Sequence, residues 1–357
     1  MEPEVRNGPR FVQALPSPPD ARHGRSRLDS PMTDCLLIAH RGASADRPEH
    51  TLAAYRLAVA QGADVIEPDV VPTADGALVV RHENEISGTT DVDQRPAFAS
   101  RRTTKTIDGV RVTGWFTEDF ALAELRTLRC RERLPDLRPG SARYDGRFQI
   151  PTLDEVLALA RELGAARGRA VGVYPETKHP AYFRSLGLAL EEPLADALAA
   201  HGLDGPDDPA WLQSFEPDSL QRLGALTGLR RVQLVADADA PPPGWVRAAT
   251  LDAPAAFAAL GWADAVGPDW SLLLDDALAP TAFAAHAHAA GLAVHAWTLR
   301  PENAFLPQAL RSDTPDAPRP ADHGDLVSLA RAVVAAGADG VFTDAPGAVA
   351  RALADLH

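Results

Sequence analysis

Two histidines stand directly after short apolar runs, where a side chain can reach a site at the end of a strand. His40 follows "CLLIA" and His82 follows "ALVVR". An imidazole changes its charge near neutral pH, so two of them beside one substrate are suited to accepting and donating protons. A lone histidine at such a position is more often a structural hydrogen-bonding residue. The functional interpretation therefore depends on what other chemistry lies at neighbouring strand ends.

Carboxylates also stand at the ends of apolar runs. Glu67 and Asp69 lie two residues apart in "IEPDV", and Glu176 lies in "YPETK". Side chains two apart on a strand share a face, and three carboxylates brought together without a cation would repel one another. The pattern therefore predicts a divalent cation, and all-oxygen ligation favours Mg2+, Mn2+ or Ca2+ over zinc. The alternative, a solvated acidic face, applies to any isolated pair of this kind.

Two cationic side chains accompany these groups. Arg41 follows the first histidine, and Lys178 follows Glu176 by two residues. A guanidinium offers a planar fork and an ammonium a point charge, and both suit phosphate oxygens. Histidines, cation-binding carboxylates and fixed positive charge together predict metal-assisted cleavage of a phosphoester. A simple ion pair between Glu176 and Lys178 remains an alternative.

Three nearby features have other interpretations. Glu49 lies just before Thr51, which is placed to cap a helix, so we expect Glu49 to support the site rather than to bind the cation. Asp75 and Gly76 predict a turn between strand segments. Trp297, at the end of "AVHAW", is suited either to the core or to packing against a small substrate.

These residues need a scaffold that brings strand ends together, and the chain has a repeating pattern for one. Short apolar runs alternate with amphipathic helical runs, which is typical of a parallel sheet covered on both faces. About eight such units predict an α/β fold, a (β/α)8 TIM barrel, whose active sites lie at the carboxyl ends of the strands. No G-x-G-x-x-G motif follows the first run, which argues against a dinucleotide-binding fold. The strand-like runs occupy residues 35–42, 64–71, 77–83, 170–178, 210–215, 230–236, 263–270, 293–299 and 338–344.

Two places break the pattern. Residues 84–149 show little sustained periodicity and are too long for an ordinary loop. We predict an insertion there, between strand 2 and helix 2, at the mouth of the barrel where it could shape a pocket. Pro68 stands between Glu67 and Asp69 and has no N–H for a sheet ladder, so strand 2 is expected to fray or bulge at that point.

Composition limits the class of partner. The chain has 357 residues, 45% of them apolar, and a formal net charge of −14. It therefore lacks the basic surface that nucleic acids and anionic membranes require, and we expect a small-molecule substrate and no membrane insertion. Cys35 and Cys130 are too few for a disulfide framework. We expect one domain over residues 34–357, and the sequence gives no expectation of oligomeric state.

Residues 1–33 are rich in Pro, Arg, Asp and Ser and lack the apolar core of a signal peptide. Two interpretations stay open: a disordered N-terminal tail, or an artefact of start-codon choice with the true start at Met32. The missing signal peptide favours a cytoplasmic location and leaves export open.

The ordered motifs resemble those of the glycerophosphodiester phosphodiesterases. They extend from about residue 36 to the C-terminus and include "IAHRGAS", "PEHTLAAY", "GADVIEPDVVPTADGALVVRHE", "IPTLDEVL", "VYPETK", "QSFEPDSL", "VGPDW", "VHAWTL" and "GADGVFTDAP". The resemblance implies a barrel enzyme that hydrolyses glycerophosphodiesters to sn-glycerol 3-phosphate and an alcohol, with one divalent cation, Ca2+ or Mg2+, or else Mn2+. The 84–149 segment and "VYPETK" are most similar to the longer bacterial members.

The resemblance also implies a role for each matching residue. The matches are His40 and His82 as acid and base, Glu67, Asp69 and Glu176 as metal ligands, Arg41 and Lys178 as phosphate-binding residues, and Phe215 and Trp297 on the glycerol side of the pocket. Which histidine is the acid, and whether water or the substrate's own hydroxyl attacks, stay open.

Two other functions remain as alternatives. A related barrel phosphodiesterase acting on lysophospholipids or sphingolipids should have an apolar, membrane-facing mouth, whereas the 84–149 segment is mostly polar. A non-catalytic protein that binds phosphate esters on the same fold should have lost a ligand or a histidine, and none is missing.

Overall fold

The structure, a computed structural model, describes residues 35–236, 241–242, 244–312 and 319–355. The two interpretations of residues 1–33 concern a region outside these ranges. Within them, no helix combines the length and the apolar character needed to cross a bilayer.

The strands of the described residues form one large sheet and a separate two-stranded hairpin. They are β1 (Leu36–His40), β2 (Val65–Glu67), β3 (Asp69–Pro72), β4 (Leu78–Val80), β5 (Thr103–Ile107), β6 (Val110–Gly114), β7 (Gly172–Val173), β8 (Glu176–Thr177), β9 (Trp211–Ser214), β10 (Arg230–Leu234), β11 (Ala265–Gly267), β12 (Ala293–Leu299) and β13 (Gly340–Thr343).

The large sheet closes into a barrel because β2 and β3 continue one another along the chain, as do β7 and β8. β1 pairs in parallel with both β13 and β2. β2 pairs with β7, and β3 with β8, again in parallel. The neighbours from β8 to β13 are parallel in chain order. This is the predicted (β/α)8 barrel, with two of its eight strands split in half.

Helices lie between the strands and after the last one. They are α1 (Leu52–Ala60), α2 (Leu122–Leu125), α3 (Pro139–Ala142), α4 (Leu153–Arg167), α5 (Pro180–Ser185), α6 (Glu191–Ala200), α7 (Pro217–Leu226), α8 (Pro254–Ala258), α9 (Phe283–Ala289), α10 (Leu326–Ala335) and α11 (Pro346–Ala354). Two of them, α2 and α3, fall in residues 84–149, where no periodic run was predicted. At α1 the predicted cap is present, since Thr51 Oγ1 accepts a hydrogen bond from the Ala54 N–H at 3.1 Å.

Prolines explain the two split strands. The second strand stops at Glu67 and restarts at Asp69, so the irregularity predicted at Pro68 is confirmed. A second break, at Tyr174 and Pro175, separates β7 from β8. Each proline lacks the N–H that would continue the ladder. Only the first break was among the predictions.

β4 departs from the predicted parallel pattern. The run at 77–83 predicts another parallel strand, but β4 pairs antiparallel with β3, with Pro72 opposite Leu78. Asp75 and Gly76 lie in the predicted turn between them, and Gly76 has a φ of 80°. So short a connection cannot make a parallel crossover, which needs about a dozen residues or more. The direction predicted for this run is wrong.

Residues 84–149 lie between β4 and α4 and contain the β5–β6 hairpin together with α2 and α3. Asp108 and Gly109 close the hairpin, with φ of 49° and 83°. Positive φ at both central residues is typical of a type I′ turn, which favours Asp-Gly. This dipeptide between alternating runs is the sequence signal from which the hairpin could have been predicted.

The barrel interior contains a packed apolar layer. Alternate residues of each strand point inward or toward the helices, so Ile38 packs inside while Leu37 packs outside. The inward layer is made of Ile38, Val65, Tyr174, Trp211, Val232, Ala265 and Phe342. Residues two positions further along β1 and β2 also point inward, and these are His40 and Glu67.

Candidate active site

The turn after β1 places a backbone donor in the site. Arg41 and Gly42 have φ of 57° and 88°, and a side chain at Gly42 would bring its Cβ within 2.7 Å of the Ala54 backbone. Only glycine fits there. The turn directs the Arg41 N–H at Glu67, whose Oε2 accepts the hydrogen bond at 2.8 Å.

The three predicted metal-binding carboxylates meet inside the barrel. Glu67 and Asp69 are each 1% exposed and Glu176 is 7% exposed. Burial and the neighbouring Asp69 and Glu176 raise the pKa of Glu67 well above its usual range, and burial raises the pKa of Glu176 to about 7. Burial opposes ionisation of Asp69 too, but Lys178 and His50 hold its pKa well below its usual range. A bound cation would relieve this repulsion.

The donor set fits a divalent cation. Asp69 Oδ1 is buried and has no hydrogen-bond partner, although Asp69 Oδ2 lies 2.7 Å from His50 Nε2. His50, Glu67 and Asp69 each offer one ligand atom, and these atoms lie within 4.8 Å of one another. The other ring nitrogen of His50 lies 2.7 Å from the Tyr55 hydroxyl. His50, which is held on both sides, therefore orients Asp69.

His40 is held by a carboxylate on one side and a cation on the other. Its Nδ1 lies 2.6 Å from Asp344 Oδ1, and Arg41 Nε donates to its Nε2 at 3.2 Å. Because a guanidinium only donates, Nε2 is the acceptor and the hydrogen of the neutral ring lies on Nδ1. Burial and Arg41 lower the pKa of His40 to about 4, despite Asp344.

His82 has the same arrangement with different partners. Its Nδ1 contacts Glu83 Oε1, and its Nε2 lies 3.2 Å from Lys178 Nζ. An ammonium also only donates, so the hydrogen again lies on Nδ1. Burial, Arg41 and Lys178 lower the pKa of His82 to about 3. Both histidines thus present an unprotonated Nε2 beside a cation.

A cavity of about 250 Å3 lies in front of these groups. Asp69 lies behind its wall, with Oδ1 3.9 Å from Lys178 Nζ. Lys178 Nζ donates to Glu176 at 2.7 Å, so the ion pair expected as an alternative is present as a part of the site. The other eight predicted residues line the cavity: His40, Arg41, Glu67, His82, Glu176, Lys178, Phe215 and Trp297.

An aromatic wall closes one side of the cavity. The rings of Phe215 and Trp297 meet edge to face with centroids 5.9 Å apart, and Trp245 stacks on Phe215 at 4.3 Å. Trp297 Nε1 donates to the Gly267 carbonyl at 2.8 Å, which fixes the ring. Trp297 both lines the cavity and packs against the interior apolar layer, so the two interpretations from the sequence are compatible.

Several groups that hold the site were not predicted from the sequence. Asp344 and Glu83 contact the two histidines, and Gln213 Nε2 donates to Glu67 Oε1 at 3.0 Å. Arg133 Nη2 donates to Glu49 Oε1 at 2.7 Å, so Glu49 has a supporting position, as expected. Asp344, Glu83 and Gln213 lie in motifs quoted above, at or near strand ends, and that position is the signal from which they could have been found. Arg133 lies in none of these motifs.

The fold is a barrel with histidines, carboxylates and cationic side chains gathered around or directly behind one cavity. Comparison with known proteins identifies the family. Residues 40–348 match the glycerophosphoryl diester phosphodiesterase family. The chain is 32% identical over 290 residues to a glycerophosphodiester phosphodiesterase of Arabidopsis thaliana, 75% of each chain. It is 29% identical over 345 residues to that of Haemophilus influenzae, 88% of each chain.

A solved structure shares the fold. The Oleispira antarctica phosphodiesterase in complex with the product sn-glycerol-3-phosphate has a TM-score of 0.56 at 23% identity, covering 89% of this chain and 96% of that chain. The chain described here belongs to the glycerophosphoryl diester phosphodiesterase family. It is an enzyme, a glycerophosphodiester phosphodiesterase, and the family implied by its motifs is confirmed.

Proposed function

We propose that this enzyme hydrolyses glycerophosphodiesters to sn-glycerol 3-phosphate and an alcohol, with one divalent cation and two histidines that transfer protons. One observation carries the proposal: two histidines, three carboxylates and two cationic side chains lie around or directly behind one cavity. The product held by the Oleispira antarctica neighbour supports the same product here.

Glu67, Asp69 and Glu176 would hold the cation, which we take to be Ca2+ or Mg2+, with Mn2+ as a third choice. Asp69 Oδ1, which is buried without a hydrogen-bond partner, supports this assignment. When bound, the cation would supply Lewis-acid polarisation of a phosphoryl oxygen. His50 keeps Asp69 oriented without leaving its own ring nitrogens free.

Arg41 and Lys178 bind the phosphodiester. Each donates to a histidine Nε2, and each can instead direct its N–H groups to a phosphate oxygen. That exchange frees both Nε2 atoms for proton transfer. Phe215 and Trp297 pack against the glycerol moiety.

We assign His40 as the general base and His82 as the general acid. The neutral His40 accepts a proton at Nε2 from the attacking hydroxyl, which belongs to water or to the substrate's own glycerol. The bound anion favours the imidazolium form of His82, because an opposite charge nearby raises the pKa of a histidine. His82 then protonates the departing alkoxide. Where the glycerol hydroxyl attacks, this step gives a cyclic phosphate, which water must then open to give glycerol 3-phosphate.

The test is a coupled assay for glycerol 3-phosphate with several glycerophosphodiesters, run beside an assay for the choline released from lysophosphatidylcholine, whose other product would be a lysophosphatidic acid. We expect release of glycerol 3-phosphate from the glycerophosphodiesters, loss of activity with a chelator, and recovery with Mg2+, Mn2+ or Ca2+. Faster turnover of the lysophospholipid would instead favour a barrel phosphodiesterase specific for lipids. Binding of substrate without turnover, with every divalent cation, would contradict the proposal.

A further inference from the structure

We propose that Arg133 and Arg138, both in segment 84–149, are positioning residues for the two histidines, each acting through a carboxylate that contacts one of them. This proposal rests on the proposed function, because it concerns the same histidines. It assigns the segment predicted as an insertion a part in building the active site, in addition to any part in shaping the pocket.

Arg138 reaches His40 through Asp344. Arg138 is 6% exposed, and its Nη2 donates to Asp344 Oδ2 at 2.6 Å. The other oxygen of Asp344 faces His40 Nδ1, so one carboxylate bridges the arginine and the histidine. Arg138 Nε donates to Glu302 at 2.6 Å, and its Nη1 donates to the Ser44 carbonyl at 3.1 Å. These contacts leave the guanidinium a single orientation.

Arg133 reaches His82 through Glu83. Its Nη1 and Nη2 donate to the two oxygens of Glu83 at 2.9 and 2.6 Å, and Glu83 faces His82 Nδ1. Its Nε and Nη2 also donate to Glu49 at 2.7 Å each. Glu49 in turn accepts from Arg41 Nη1 at 3.1 Å. Arg133 therefore holds the partner of one histidine and the partner of a proposed phosphate-binding residue.

The backbone between the two arginines is held in a fixed turn. Glu132 is 4% exposed and accepts hydrogen bonds from the Leu134 N–H at 2.9 Å and the Ser141 hydroxyl at 2.5 Å. The Arg138 N–H donates to the Leu134 carbonyl at 2.8 Å. A buried acid and a turn thus set the spacing of the two guanidinium groups, which contact the carboxylate partners of different histidines.

The chemical consequence concerns the geometry of the imidazoles. A histidine that transfers protons at Nε2 is most effective when the partner of its Nδ1–H is itself fixed. Loss of the outer arginine leaves the carboxylate able to rotate. Asp344 would keep Arg300, whose Nε lies 3.1 Å away, so the effect is partial. We expect losses of about 10- to 100-fold in kcat, the range typical of such outer partners.

The experiment compares Arg133→Gln and Arg138→Gln with His82→Ala and His40→Ala on two kinds of substrate. One substrate has a poor alcohol leaving group and the other has a nitrophenolate, which needs little protonation. We expect each arginine variant to lose kcat and to follow the leaving-group dependence of its own histidine variant. For Arg133→Gln, an equal loss of rate on both substrates would overturn the proposal. For Arg138→Gln, recovery of rate on the nitrophenolate substrate, which His40→Ala should not show, would overturn it.

Arg131→Gln is the matched control. Arg131 lies in the same segment and is about as exposed as Arg133, at 23% against 27% of the side chain. Its carboxylate partner is Asp93, at 2.5 Å, which contacts no histidine among the described residues. We expect its kcat to stay within about twofold of wild type on both substrates, because a solvent-exposed ion pair contributes little energy.

A double variant that removes a buried unpaired charge distinguishes a loss of stability from a loss of positioning. Arg138→Gln leaves Glu302 buried without its guanidinium partner, which is costly. The double variant Arg138→Gln/Glu302→Gln removes that unpaired charge, so we expect its melting temperature to recover while kcat stays low. Recovery of wild-type kcat in the folded double variant would show that Arg138 acts only on stability and would overturn its assignment.

Failure of this proposal differs visibly from failure of the proposed function. If His40→Ala and His82→Ala keep wild-type rates, the two-histidine mechanism itself is wrong. If both histidine variants are inactive while Arg133→Gln and Arg138→Gln stay within about twofold of wild type, only the positioning role is wrong.

Discussion

The inside of the barrel holds two layers of side chains that come from the same strands and have opposite physical properties. β1 contributes Ile38 to the apolar layer and His40 to the layer above it. β2 contributes Val65 and then Glu67. The strand register places Ile38 beside Val65 and His40 beside Glu67, so a step of two residues changes a packed hydrocarbon pair into an ionisable pair.

The difference shows how the barrel separates stability from chemistry. The lower layer is stabilised by removal of apolar surface from water. The upper layer gathers carboxylates, and burial together with the neighbouring Asp69 and Glu176 raises the pKa of Glu67 well above its usual range. Such a cluster disfavours the folded state until a cation enters. Substitutions in the two layers should therefore have opposite effects on stability and activity.

The largest expected effect is in the upper layer. Glu67→Gln should lower turnover by at least about 10^3-fold, because Lewis-acid stabilisation is worth several kcal/mol. In chelator the variant should melt at a higher temperature than wild type, since one of three repelling carboxylates is gone. With added divalent cation the order should reverse, because tighter binding stabilises wild type more. Turnover assays and thermal melts with and without metal check both points.

A buried glutamate outside the cavity gives the control for this substitution. Glu191 is 1% exposed and accepts from Arg184 Nη2 at 2.7 Å. Glu191→Gln should lower the melting temperature with and without metal and leave turnover unchanged. Full wild-type activity after exhaustive chelation, with no metal found by elemental analysis, would sink the metal site.

The next effect separates the two histidines of the upper layer. His40→Ala and His82→Ala should each lose about 10^2- to 10^4-fold in rate on a substrate with a poor leaving group, the usual range for general acid or base assistance. With a nitrophenolate leaving group, His82→Ala should recover much of its rate and His40→Ala should not. Recovery by His40→Ala alone would exchange the two assignments.

Circular dichroism must first show that both histidine variants are folded. If both are folded and retain near wild-type rates on the natural substrate, proton transfer by these residues is not needed. The remaining groups of the upper layer would then have to activate the nucleophile and stabilise the leaving group.

The place of a residue in this arrangement can be predicted from the sequence when the residue lies on a strand or directly after one. His40 stands at the end of a recognisable apolar run, and the position of such residues in a barrel follows from strand direction alone. Asp344 directly follows β13, so the same rule would have found it. Pro68 also acts locally, through its missing N–H.

Residues outside the periodic elements could not be predicted in this way. Arg138 contacts Asp344 across 206 residues of sequence, and Arg133 contacts Glu49 across 84. Neither arginine lies on a strand or helix whose periodicity would fix its direction. Their partners depend on how the irregular chain of segment 84–149 folds over the barrel, and composition or spacing carries no information on that.

A substitution in the apolar layer tests the other side of the comparison. Ile38→Ala, two residues before His40, should lower the free energy of unfolding by about 2–5 kcal/mol, because it leaves a cavity at a fully buried site. Turnover per folded molecule should change by less than about threefold. That is well below the ~1.4 kcal/mol of activation free energy that a tenfold change represents. Denaturant unfolding and active-site titration give the two quantities. A loss of turnover comparable with that of His40→Ala would show that the layers are not separable.

The smallest expected effect concerns His295, a buried polar residue that contacts the lower, apolar layer of the barrel. His295 is 3% exposed, and its Nδ1 lies 2.7 Å from the Tyr174 hydroxyl. Burial lowers its pKa from 6.5 to about 4 in the folded protein. The unfolded chain therefore binds a proton first as the pH falls, so the stability associated with neutral His295 is present above pH 6.5 and is lost progressively toward pH 4.

We expect the free energy of unfolding of wild type to fall more steeply than that of His295→Gln between pH 7 and pH 4.5, by about 2 to 3 kcal/mol over the window. Glutamine can still accept a hydrogen bond from the Tyr174 hydroxyl but carries no titratable proton, so the two proteins differ mainly in this one ionisation. His40 and His82, whose pKa values are also lowered, titrate in both proteins and cancel in the difference. Urea unfolding at several pH values measures it. Parallel pH profiles for the two proteins would mean that His295 is protonated equally in both states, and that water reaches the apolar layer after all.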